Sequence, residues 1–191
     1  MHVMYPHETH ALIQKGILNA GGALNIELQA KSVPSADLLR FYNLLGKYYL
    51  LSGDHSKGFG YLSYAYGFLE GKKDTKEYDE LYLSVAANYI KILHLKNDHD
   101  RVLETASRML EFQKLANALD RSHLAHFMIA MVKHKRGDKA SAVEALKKSL
   151  LLCSVHEKTE DLKVFLEYDF VVELMECNEL SIDLSELLGI G

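Results

Sequence analysis

Tryptophan is absent from the 191 residues, and proline occurs only twice, at Pro6 and Pro34. Beyond residue 36 no proline ring interrupts the backbone, so long unbroken helices are permitted over most of the chain. Cysteine is nearly as scarce. Cys153 and Cys177 have no CxxC spacing and stand among helix-forming neighbours, so they read as free thiols rather than a metal pair or a structural disulfide. Long apolar runs are also missing: the longest stretches, such as residues 127–132, fall far short of a membrane span. The opening MHVMYPHETH lacks the basic and apolar regions of a signal peptide, which sets the expectation of a cytoplasmic protein without a membrane partner. Charge of neither sign dominates, with 22 basic against 26 acidic residues and a net charge of −4. No global field draws the chain to nucleic acid, and no direct nucleic-acid binding is expected.

What is present is helical periodicity. Apolar residues make up 48 % of the chain and recur at helical rather than strand spacing. Two short helices are expected over residues 7–19 and 23–31, separated by Gly21-Gly22. Ser35 or Asp37 suits the cap of a helix reaching Leu51, and a second helix follows from about His55 to Leu69. Beyond a charged stretch, GKKDTKEYDE, come a long helix ending at Lys96, another over 101–116, a pair over 120–136 and 139–154, and one from Thr159 or Glu160 to Cys177. Ser181 caps a last short helix through Leu188. About ten helices with short connections make the fold all-α, with antiparallel neighbours.

The breaks are evenly placed. Gly53-Asp54, Asn97-Asp98 and Gly137-Asp138 each separate two apolar helices at nearly constant intervals. Regular helix–turn–helix units are the pattern of an α-solenoid, in which each pair buries its face on the next. This divides the chain into short N-terminal helices over 1–35, three helix pairs over 36–155, and a C-terminal pair or capping helix over 156–191.

The residues at these positions resemble the tetratricopeptide repeat. Tyr42, Leu45-Gly46, Tyr49, Gly53, Gly58, Leu62 and Ala65 fall at its spacings. Ile129-Ala130, Gly137, Ala142 and Leu146 form a second match, departing from the pattern at His126 and Lys133. The middle pair, about 80–116, matches in helix length and turn position more than in residues. Each type has a packing reason, since Gly46 and Gly58 permit close helix approach while Tyr42 and Tyr49 fill the space beside them. The long period is similar to that of the repeat domains in bacterial peptide-pheromone sensor regulators. The resemblance implies a non-enzymatic domain that binds a peptide or protein segment on the face lined by the first helix of each pair. It implies no cofactor.

The helix chemistry is read independently of that likeness. In 37–51 the polar residues Arg40, Asn43 and Lys47 lie on one ridge, and in 78–95 the corresponding ridge is Ser84, Asn88 and Lys91. Asparagine can satisfy both N–H and C=O of a ligand backbone, while arginine and lysine meet carboxylates. Asn88 sits where the resemblance puts a carboxylate-clamp residue, but Leu124 and Met128 occupy the third pair's basic positions. There Phe127 and Met131 are expected to meet an apolar ligand side chain instead.

Other chemistry is thinly represented. His7 with His10 and His123 with His126 are spaced i, i+3, yet no HExxH or Cys/His cluster adds further ligands. The His99-Asp100 doublet is shared with all-helical metal-dependent hydrolases of the HD type, an enzymatic alternative, although NDHD is explained by a turn and a helix N-cap. GxSxG and phosphate-cradling glycine loops are absent. Tyr61, Tyr64, Tyr66 and Phe68 read as packing, because they have few basic neighbours. Leu184, Leu187 and Leu188 share one face of the last segment with Leu180. They suit a capping helix or a homodimer contact, so an oligomeric assembly module is a further alternative.

Overall fold

The computed structural model describes residues 34–72, 76–116 and 121–176. Among them are eight α-helices, one short 3-10 turn at Lys76–Tyr78 and no strand. The helices are α1 (Ala36–Ser52), α2 (His55–Glu70), α3 (Asp79–Leu95), α4 (His99–Ala116), α5 (Ser122–Lys135), α6 (Lys139–Val155), α7 (Thr159–Leu166) and α8 (Asp169–Glu176). The all-α class is therefore established. The helices expected over 7–19, 23–31 and from Ser181 lie outside the described residues, as do Cys177, Leu184, Leu187 and Leu188. Two compact units divide the chain, Met1–Ile92 and Leu93–Gly191. Their boundary falls inside α3, a place no composition shift marks.

Three turns repeat one local design. Gly53, Asn97 and Gly137 each adopt the left-handed conformation, with φ of 86°, 57° and 78°. That conformation ends a helix and is open to glycine and, at small cost, asparagine. The next residue is aspartate every time, and its carboxylate accepts from a backbone N–H three residues on: Asp54 from Lys57, Asp98 from Arg101, Asp138 from Ser141. One residue stops a helix and its neighbour starts the next. A fourth turn, before α7, has Glu157 in the same conformation at φ 53°. Ser35, likewise, caps α1 by accepting from the Leu38 N–H at 3.1 Å.

In the first unit α1 and α2 run antiparallel in close contact. A Cβ added at Gly46 would come within 2.4 Å of the Leu62 side chain, and one at Gly58 within 3.2 Å of the Gly46 carbonyl oxygen. Both glycines are thus required by proximity. Beside them Tyr49 stacks on Tyr61, while Tyr42 packs against Tyr61 and Tyr64. Tyr66 stacks on Tyr89 at 4.7 Å and on Tyr82, and Tyr82 donates its hydroxyl proton to Glu70 at 2.6 Å. Burial, joined by that carboxylate, raises the phenol well above its ordinary range. The tyrosine-rich segment is packing at Tyr61 and Tyr66, whereas Tyr64 is half exposed.

The second unit is built around Phe127. Its ring stacks on Phe165 with centroids 3.8 Å apart, meets Tyr168 edge-on and packs against Phe170. This cluster breaks the single helix expected from Thr159 to Cys177. Residues five apart on an α-helix diverge by about 140°, so Phe165 and Phe170 of one straight helix would not both reach Phe127. The chain ends α7 at Leu166 and restarts as α8 at Asp169, bringing both rings to the same partner.

Candidate binding face

Ser84, Asn43 and Asn88 are brought together. Asn88 donates from Nδ2 to the Oδ1 of Asn43 at 2.9 Å, and Asn43 donates from its own Nδ2 to Ser84 Oγ at 3.0 Å. All three are half-buried. Side chains 41 and 45 positions apart in sequence thus join the polar ridges of α1 and α3 within the first unit. Each amide keeps one further N–H and each oxygen one further lone pair, so the chain of groups can still bond an added backbone.

Around this centre Arg40, Lys47 and Lys91 are exposed. Arg40 is already matched by a carboxylate on its own helix, with Asp37 2.7 Å away. That pairing is legible as an i, i+3 spacing, and it makes Arg40 a weaker anion acceptor than its charge alone suggests. The exposed side of α1 is also broader than one polar ridge: Leu44 and Leu51 are 51 % and 39 % exposed. Leu44 lies about 100° around the helix from Asn43, so the face offers apolar as well as polar surface.

Phe127 and Met131 do not join it. Phe127 is 2 % and Met131 5 % exposed, and both fill the core of the second unit. The expectation that they meet a ligand is corrected: the aromatic contacts of α7 and α8 take the place reserved for it.

Among the described residues, His123, His126 and Cys153 pack within the second unit. His123 is buried and faces the half-exposed Asp161 at 3.0 Å, while its carbonyl accepts from Ser149. His126 is half-buried, and burial lowers its proton affinity. Cys153 is fully buried, and its thiol is pushed up to about 12 by burial and by Asp161. Such a thiol is a poor nucleophile. His99 faces the His94 ring, and Asp100 is held by Arg136 at 2.6 Å. Among the described residues no group of three or more His, Cys, Asp or Glu could hold a metal ion. None of their helices is long and apolar enough to cross a membrane.

No protein-family model, curated protein or solved structure matches the chain.

Proposed function

We propose that this chain is a non-enzymatic α-solenoid of tetratricopeptide type that binds an extended peptide or protein segment. The contact face is the one formed by Arg40, Asn43, Lys47, Ser84, Asn88 and Lys91, with Leu44 at its edge. It acts in the cytoplasm, without a cofactor and without direct binding to nucleic acid or membrane, as a regulatory peptide sensor or a scaffold. The observation that carries the reading is the Asn88–Asn43–Ser84 chain of hydrogen bonds. It holds two side-chain amides in fixed orientation on a half-exposed surface, with exposed lysines one turn further along at Lys47 and Lys91. Fixed amides lower the ordering cost of gripping a peptide backbone, and lysines add attraction for acidic side chains.

Selection of a displayed random-peptide library on the purified chain tests it. Enriched peptides are expected to bind the wild type and to lose at least tenfold in affinity to an Asn43→Ala, Asn88→Ala variant that retains its helical spectrum. Peptides that bind both proteins equally, or no enrichment at all, would count against this face.

A second reading, a homo-oligomeric assembly module, is favoured by the apolar surface on the last helices. Val164 on α7, Tyr168 at the break between the two helices and Val172 on α8 are exposed. Sedimentation at increasing concentration separates the two readings.

A further inference from the structure

Two of the repeated turns carry a histidine at the same place, three residues before the left-handed residue: His94 before Asn97 and His134 before Gly137. The backbone closes identically in both. Asn97 N–H donates to the His94 carbonyl and Asp98 N–H to that of Leu93, while Gly137 and Asp138 donate to His134 and Lys133. The surroundings of the two imidazoles differ.

His134 has a carboxylate within reach. Glu173 of α8 places Oε2 3.3 Å from His134 Nε2 and Oε1 3.3 Å from Lys139 Nζ. His94 has none. Its half-buried ring faces the His99 ring of α4, with centroids 6.1 Å apart, and the Lys135 side chain of α5 adds positive charge. The Nδ1 atoms of both His94 and His99 are buried without a hydrogen-bond partner among the described residues. The two carboxylates of this corner are held elsewhere, Asp98 by the α4 N-terminus and Arg101, Asp100 by Arg136.

We infer that the turn joining α3 to α4 is an acid-sensitive latch, closed while His94 is neutral and opened when His94 takes a proton beside His99 and Lys135. The turn joining α5 to α6 has the same backbone, but there Glu173 lies 3.3 Å from the imidazole. Burial first, then Lys135 and His99, pushes the His94 imidazole down from 6.5 to about 4. The closed turn therefore binds the proton more weakly than the open one. Closure is favoured above pH 6.5 and is lost progressively as pH falls towards 4. At pH 5 the opening equilibrium is expected to rise on the order of tenfold.

Hydrogen exchange of the full chain at pH 7.5 and pH 5.0, corrected for intrinsic rates, tests this with an internal control. The Asn97 and Asp98 amides are expected to lose about tenfold in protection at pH 5.0, while the Gly137 and Asp138 amides keep theirs. His94→Gln is expected to abolish the difference. Lys135→Glu, on an exposed residue, supplies the missing carboxylate and is expected to reduce the loss at pH 5.0. Equal loss at both turns, no loss at the first, or an unchanged loss in either variant would overturn the inference.

Discussion

Asn88 donates to Asn43 across 2.9 Å, tying two helices through residues 45 positions apart, and Asn43 passes the contact on to Ser84. A half-exposed amide pair of this kind contributes about 1 kcal/mol net. It therefore leaves room for a role beyond holding the helices together.

Asn43→Ala and Asn88→Ala are each expected to lower unfolding free energy by about 1 kcal/mol, with a coupling of about 0.5–1 kcal/mol in the double variant. Urea unfolding of the four proteins measures both quantities. A coupling near zero would mean that the two amides do not meet in solution.

Replacements of the glycines in the first helix pair are expected to have opposite signs. Gly46→Ala drives a methyl group to 2.4 Å from Leu62, and Gly58→Ala drives one against backbone at 3.2 Å. Each is expected to destabilise by about 1–3 kcal/mol. Gly60→Ala, on the same helix with nothing within 4 Å of the new carbon, is expected to stabilise by about 0.5–1 kcal/mol through helix propensity. Thermal or urea melts of the three variants check the contrast.

At the turn before α7, Glu157 holds a left-handed conformation at φ 53° that costs a non-glycine residue. Glu157→Gly is expected to raise stability by about 0.5–1 kcal/mol, and Gly137→Ala, at φ 78°, to lower it by about 1 kcal/mol. If both substitutions shift the urea midpoint in the same direction, the shared turn geometry is wrong.

Phe127→Ala removes a ring that stacks on Phe165 and touches Tyr168 and Phe170. A loss of about 3–5 kcal/mol is expected. Hydrogen exchange should show the loss as faster exchange across α7 and α8, whose rings it anchors. Undisturbed exchange there would contradict the central place given to Phe127.

Much of this protein follows from its sequence alone, because the physics of its turns is local. A left-handed Gly or Asn followed by a capping Asp needs only its own backbone, so Gly53-Asp54, Asn97-Asp98 and Gly137-Asp138 are legible without knowledge of the neighbours. The spacing of Gly46 and Gly58 similarly announces a close crossing. Side-chain direction is another matter, since periodicity names the face of a helix but not what packs against it. Phe127 and Met131 suit a ligand as well as a core until Phe165, Tyr168 and Phe170 take that space, and the same aromatic packing splits one expected helix into α7 and α8. The two polar ridges are visible in the sequence. That Asn43 meets Ser84 and Asn88, and that Leu44 stays exposed beside them, depends on the register of α1 against α3, which only tertiary packing decided.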